Sequence, residues 1–293
     1  MQCLPSSAGE ARRVADRLGV VLHDVAVHRF PDEELRITVG PAAATTIVFA
    51  SLDKPNDKLL ALLFASEALR RGGARRLVLA APYLCYMRQD TVFHQGEAIS
   101  QKVVGRLLAD AVDRVVTVDA HLHRTKNIGD VFPGIEADNL SAMPAIAQAL
   151  QTSGFDPATV VVGPDMESQA WVADLAGRLG TQRAVARKMR RSDRSAEISF
   201  ADPGLFAGRP VLLVDDIVSS GGTLTACAKA LHAAGASTID AIVTHALFAP
   251  ELVGHLLEAG IRSIKSTDSV AHPSNAIALD QILAEALRRE VDA

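Results

Sequence analysis

A chain of 293 residues has room for two ordinary domains or one large one. With 48% hydrophobic residues it can build a core, and a net charge of −4 gives no general attraction to nucleic acid or to an anionic membrane. No apolar run is long enough to span a bilayer, and Met1-Gln2-Cys3-Leu4-Pro5 lacks the basic stretch and apolar run of a signal peptide, so a cytoplasmic protein without membrane or nucleic-acid partners is expected.

In chain order, β-branched runs alternate with amphipathic stretches. Strands are predicted at Thr46–Ser51, Leu77–Ala81, Arg114–Val118, Thr159–Gly163, Pro210–Val214 and Ile239–Thr244. Helices are predicted at Asp57–Arg71, Ser100–Ala111, Ala142–Gln151, Ser168–Leu179, Thr223–Ala234 and Glu251–Ala259. Strands that are apolar throughout and are followed by helices of this length predict βαβ units, hence an α/β fold with mostly parallel sheets flanked by helices. A faint repeat supports two tandem copies. Ala68–Ala74 resembles Ala230–Ala236, and the same offset sets Asp53 against Asp215 at a strand end. The polar stretch Gln151-Thr152-Ser153-Gly154 places the expected boundary, giving domains 1–151 and 152–293. Cys3, Cys85 and Cys227 are odd in number and far apart, which fits neither a disulfide framework nor a zinc site and predicts buried or idle thiols.

The most informative segment runs from Val211 to Leu224. A buried strand ends in Asp215 and Asp216, and a loop of Ser219, Ser220, Gly221 and Gly222 opens a helix at Thr223. Small residues let backbone N–H groups approach an anion, the helix N-terminus favours negative charge, and the hydroxyls add donors. Carboxylates repel phosphate, so Asp215 and Asp216 are expected to accept hydrogen bonds from the hydroxyls of a ribose whose 5-phosphate fills the loop. The alternative is an ordinary helix N-cap with solvated acids. At the offset of Gly221-Gly222 the first copy carries Leu59 and Leu60, so only the second copy keeps the loop.

This segment resembles the PRPP-binding signature of the type I phosphoribosyltransferase fold, where PRPP is phosphoribosyl diphosphate. The whole chain resembles the ribose-phosphate diphosphokinases, built from two tandem domains of that fold. Phe30-Pro31-Asp32-Glu33-Glu34 resembles the family's Phe-x-Asp-Gly-Glu loop, with Glu33 in place of glycine, and implies ATP binding through Phe30, Asp32 and Glu34. Pro82–Asp90 resembles a segment that implies nucleotide contacts from Arg88, Gln89 and Asp90, with Thr91 where many members carry arginine. Val118-Asp119-Ala120-His121 resembles the strand end whose histidine, here His121, serves ATP and magnesium; His123 is additional. Gly163-Pro164-Asp165 resembles the turn whose carboxylate, here Asp165, is a second magnesium ligand, although Asp165 also suits a helix N-cap. Arg187–Arg191 resembles the catalytic loop, so Lys188 and Arg190 are expected to cover the transferring diphosphoryl group. Strand alternation would put those two side chains on one side.

The resemblance implies a Mg²⁺-dependent enzyme, a homo-oligomer of two or more chains. It would transfer the diphosphoryl group of ATP to the anomeric hydroxyl of ribose 5-phosphate, giving PRPP and AMP. A PRPP-consuming phosphoribosyltransferase and a non-catalytic homologue are the alternatives. The first leaves the N-terminal nucleotide motifs unexplained. The second should have lost Lys188 or the Asp215–Thr223 set, both of which are present.

Overall fold

The computed structural model describes residues 1–192 and 195–292, and the side chains of residues 188–197 fall outside that description. Two compact units form: Met1–Ser141 with Ser269–Ala271 and Leu279–Ala293, and Ala142–Asp268 with His272–Ala278.

The first unit contains β1 (Gln2–Cys3), α1 (Ala8–Leu18), β2 (His23–Asp24), β3 (Ala26–Arg29), β4 (Leu35–Thr38), β5 (Thr45–Phe49), α2 (Pro55–Arg71), β6 (Arg76–Ala81), α3 (Ser100–Ala111), β7 (Arg114–Val118) and β8 (Glu136–Leu140). The second contains α4 (Met143–Thr152), β9 (Val160–Gly163), α5 (Gln169–Leu179), β10 (Arg183–Val185), β11 (Arg187–Ser192), β12 (Ser195–Ser199), β13 (Pro210–Val218), α6 (Gly222–Ala233), β14 (Thr238–Ala246), α7 (Leu252–Glu258), β15 (Ser263–Thr267) and β16 (Asn275–Ile277). A last helix, α8 (Asp280–Leu287), belongs to the first unit.

The two sheets share one topology. The first runs β2-β1-β5-β6-β7-β8 and the second β10-β9-β13-β14-β15-β16, each six-stranded and parallel throughout. Between the second and third strands of each unit, in chain order, an antiparallel hairpin is inserted, β3–β4 in one and β11–β12 in the other. The duplication read from a few residues therefore extends to the whole topology. Gly73 and Gly235, matched by the repeat, both take positive φ (103° and 83°) where α2 and α6 end. The matched carboxylates differ more: Asp53 lies beyond β5, which stops at Phe49, whereas Asp215 lies inside β13.

The parallel strands are buried because helices cover them. In the second unit Val160, Val162, Val211, Leu213, Ile239 and Val243 pack with Leu224, Cys227 and Leu231 of α6 in one cluster. Burying side chains the size of Leu224 and Leu231 contributes roughly 1.5–3 kcal/mol each toward fixing α6 on the sheet.

The boundary expected at 151/152 lies instead at 141/142. The reason is α4, which buries Met143, Ile146 and Ala147 and packs on α5. The C-terminal segment also differs, because α8 packs on α1 and β7 of the first unit. Asp280 pairs with Arg17, and Glu290 accepts from Arg76 Nε at 2.7 Å and Arg114 Nη1 at 2.8 Å.

Candidate active site

The phosphate loop follows from how β13 ends. Asp215 and Asp216 are successive strand residues and so point to opposite faces. Asp216 is 5% exposed, and its Oδ1 accepts from the Ile217 N–H at 2.7 Å. Burial pushes the Asp215 carboxyl well above the usual range, and the charges of Asp216 and Asp165 push it further. Three carboxylates thus share one corner of the second unit, a setting that favours a cation or sugar hydroxyls over an anion.

Beyond them Ser219 and Ser220 are exposed, and Gly221 takes φ 72°, ψ −1° as the N-cap of α6. The first bond of α6 runs from Thr225 N to Gly221 O at 2.9 Å, so no carbonyl of the helix itself engages the N–H groups of Gly222, Thr223 and Leu224. Thr223 is exposed beside them. Unengaged N–H groups, three nearby hydroxyls and the positive helix end make a candidate phosphate cradle. In the first unit the same place is helix. Helices α2 and α6 stop at matched positions, Arg71 and Ala233, but α2 has 17 residues and α6 has 12. The five extra residues (17 − 12) stand at the start of α2, where α6 has its loop.

Asp165 follows β9 and caps the short 3₁₀ turn Met166–Ser168, its Oδ1 accepting from Glu167 N at 3.0 Å and Ser168 N at 3.3 Å. Both bonds fall on Oδ1, so the cap role and an oxygen-ligand role are compatible. Cys227 Sγ of α6 lies 3.7 Å from Pro164 O and ties the helix to this turn. Burial first, then the charges of Asp215 and Asp165, push the Cys227 thiol up to about 12. Cys3 and Cys85 are likewise buried and raised to about 12. Burial holds all three thiols above their ordinary range.

Lys188 and Arg190 lie on β11, with Lys188 opposite Ile198 and Arg190 opposite Ala196 of β12. Their side chains lie outside the described residues.

In the first unit Phe30, Asp32 and Glu34 form the tip of the β3–β4 hairpin. Phe30 N donates to Glu34 O at 2.8 Å, and Glu34 N donates to Asp32 Oδ1 at 3.3 Å. Glu33 takes φ 72°, a left-handed backbone that suits the glycine of the resembled motif. Phe30 is exposed, with the His28 ring edge-on at 4.7 Å and the Arg36 guanidinium 5.7 Å above it. Arg88, Gln89 and Asp90 sit on the turn after β6. Arg88 is exposed, Gln89 Oε1 accepts from Ser100 Oγ at 2.7 Å, and Asp90 accepts from Arg124. His121 follows β7, its ring edge-on to His123 at 4.0 Å. Asp119, just before it, holds φ 38°, a strained value that turns the chain sharply at the strand end.

Sequence reasoning passed over Gln101 and Arg124, which tie these loops together. Gln101 carries a legible signal: it shares the apolar stripe of α3 with Val104 and Leu108, and a lone amide there must find buried partners.

A duplicated parallel α/β unit with a candidate phosphate cradle beyond Asp215 and Asp216 defines a phosphoribosyltransferase-like protein. The comparisons with known proteins agree. A model of the N-terminal domain of ribose phosphate pyrophosphokinase matches residues 3–111, and one of the phosphoribosyl transferase domain matches residues 139–272. The chain is 33% identical over 278 residues to a ribose-phosphate pyrophosphokinase of Methanopyrus kandleri, covering 94% of each. It is 34% identical over 281 residues to ribose-phosphate pyrophosphokinase 2 of Archaeoglobus fulgidus, covering 96% of this chain and 97% of that one. The crystal structure of phosphoribosylpyrophosphate synthetase from Mycobacterium smegmatis superposes with a TM-score of 0.86 at 25% identity, covering 100% of this chain and 98% of that one. The chain belongs to the ribose-phosphate pyrophosphokinase family.

Proposed function

We propose that the chain transfers the diphosphoryl group of ATP to the anomeric hydroxyl of ribose 5-phosphate, giving PRPP and AMP. The observation that carries this reading is the asymmetry of the duplication. Both units share one topology, yet only the second keeps the phosphate cradle, and the first has replaced it with a turn of α2. One ribose-phosphate site and one unit turned to another ligand suit a two-substrate kinase better than a phosphoribosyltransferase.

Ribose 5-phosphate is assigned to Ser219, Ser220, Gly221, Gly222 and Thr223, with Asp215 and Asp216 orienting its ring hydroxyls. ATP is assigned to Phe30, Asp32, Glu34, Arg88, Gln89 and His121, with Asp90 beside them. The ring of Phe30 offers a stacking face, and the carboxylates accept from an exocyclic amine. The anomeric hydroxyl oxygen bonds to the β-phosphorus and releases its proton to solvent, while the bond from that phosphorus to the α,β-bridging oxygen breaks and AMP leaves with that oxygen. Such a step needs alignment and charge neutralisation more than a covalent intermediate. Lys188 and Arg190 are assigned to the moving group. Asp165 in the second unit offers a hard oxygen ligand suited to Mg²⁺, and His121 in the first, a nitrogen donor, is assigned a magnesium contact on the family resemblance alone. Bound Mg²⁺ supplies charge neutralisation at the phosphates.

A homo-oligomer fits the apolar side chains left outward on the first unit. Leu60 and Phe64 of α2 and Val103 and Leu107 of α3 are each exposed, in i,i+4 pairs on two helices in contact. A cytoplasmic setting fits three free, buried thiols. No described helix is long and apolar enough to cross a membrane.

The test is incubation with ATP and ribose 5-phosphate. Stoichiometric AMP and PRPP support the kinase. Diphosphate release that requires PRPP and a free base would establish the transferase, and no turnover with either pair would leave a binding homologue.

A further inference from the structure

Three hydrogen-bonded ties in the first unit converge on the segments assigned to the nucleotide. The carboxylate of Asp90 accepts from the backbone N of Arg124 at 2.9 Å through Oδ2 and from its guanidinium Nη1 at 2.9 Å through Oδ1. Its side chain is 1% exposed. The Gln101 amide spans both segments, Nε2 donating to Met87 O at 3.3 Å and Oε1 accepting from Thr125 Oγ at 2.7 Å. The third tie comes from Ser100 Oγ, which donates to Gln89 Oε1 at 2.7 Å, while Gln101 N donates to Gln89 O at 3.2 Å.

We propose that Asp90 and Gln101 are positioning residues: they hold the turn carrying Arg88 and Gln89 in register with the loop carrying His121 and His123. The proposal rests on the reading of the first unit as the nucleotide-binding half. A carboxylate whose two oxygens already accept from Arg124 is a poor partner for a triphosphate, which it repels. Its position gives it a different use, because Asp90 directly follows Gln89 and Arg124 directly follows His123. Burial alone would raise the Asp90 carboxyl, but the hydrogen bonds and charge of Arg124 outweigh it and hold the carboxyl below its ordinary range. The tie is therefore ionic wherever the enzyme works. Gln101 reinforces it from the first turn of α3, a rigid element, and loops held by rigid elements keep their geometry.

The test is a double-mutant cycle of Asp90→Asn and Arg124→Met, with Gln101→Leu as an independent cut and Asp90→Glu as the conservative control. Affinity for a non-hydrolysable ATP analogue and for ribose 5-phosphate is read by calorimetry, and KM and kcat by AMP formation. Each cut should weaken the ATP analogue about tenfold, and the Asp90/Arg124 double variant no more than either single, because one tie is broken once. Ribose 5-phosphate affinity should be unchanged, and Asp90→Glu should recover part of the loss.

Additive losses would show two independent nucleotide contacts and overturn the tie. So would equal weakening of both ligands, or a lower melting temperature with unchanged analogue affinity, since either marks a purely structural role. A wild-type chain that binds the analogue but makes no AMP would refute the proposed reaction while the cycle still decides the tie. One that binds no analogue overturns both.

Discussion

Leu252 of α7 closes over Gly221: a β-carbon at that glycine would fall 2.8 Å from Leu252 Cδ2, whereas one at Gly222 would meet only Ser220 Oγ at 3.9 Å. Adjacent glycines thus serve different ends. Gly221 is required by the fold, by space and by its φ of 72°, while Gly222 keeps the cradle open. Gly222→Val should therefore fold with a near-native melting temperature and lose ribose 5-phosphate binding while retaining ATP-analogue binding. Calorimetry on the folded variant decides this, and unchanged ribose 5-phosphate affinity would remove the loop from the site. Gly221→Ala should instead destabilise the chain.

If Lys188 acts on the transition state, Lys188→Ala lowers kcat by about 10²–10³, as for other lost charge stabilisers. KM for both substrates should move much less. Steady-state kinetics separate the two, and a loss confined to KM would make Lys188 a ground-state binding residue.

The left-handed Glu33 is a point of stored strain. A β-branched residue tolerates positive φ poorly, so Glu33→Val should cost about 1–3 kcal/mol of hairpin stability. Glu33→Gly should be close to neutral in thermal unfolding, because relief of strain is offset by the freedom glycine adds to the unfolded chain. A stable Glu33→Val variant would show that the hairpin tip does not hold this backbone.

Glu290 links stability to pH. The Arg76 hydrogen bond holds its carboxyl below the ordinary range, burial opposes this, and Arg114 adds to the lowering. A native pKa below the unfolded value contributes stability in full above about 4.5 and loses it as pH falls through the native value. Arg114 and Glu290 are only 3% and 4% exposed, so Glu290→Ala should cost roughly 3–5 kcal/mol at neutral pH. Denaturant melts across pH 3–7 should show a shallower acid dependence in the variant than in the wild type (an experimental range chosen to bracket about 4.5). Parallel curves would rule out Glu290 as the group responsible.

The exposed tip of the β3–β4 hairpin suits a site completed by a neighbouring chain. Glu34→Ala and Lys188→Ala proteins, each weak alone, should regain part of the activity when co-expressed as mixed oligomers, since closed symmetric assemblies repeat each interface. Light scattering that shows a monomer, or verified mixed oligomers without rescue, would confine the adenine pocket to one chain.

What was legible in the sequence follows physical lines. The six predicted strands and six predicted helices all exist, with ends displaced by at most four residues, because each is a long apolar run or a sustained helical period. Strands β1 and β2 escaped notice because each has two residues, and β8 because Glu136-Ala137-Asp138-Asn139-Leu140 is a polar edge strand. Helix α1 has its apolar stripe, Ala11, Val14, Ala15 and Leu18, but half of it is alanine, a weak signal. The segment proposed as a phosphate cradle stood out in the sequence because its residues are consecutive, acids, hydroxyls and glycines together. The ties of Asp90 and Gln101 were not, because their partners at 124 and 125 become neighbours only when two parallel strands are laid side by side.

The return of α8 has a consequence for biosynthesis. Leu283, Ala284 and Leu287 follow every strand of the second unit in the chain, yet they belong to the half that is made first. Until this helix has been made and docks, the surface of α1 and β7 that it covers stays open to water, as does the pairing site of Arg114. The second half can complete its sheet before the first is sealed. Ordinary N-terminal-first folding is thereby inverted for this helix, and a nonsense codon that removed α8 and whatever follows it would damage the first unit.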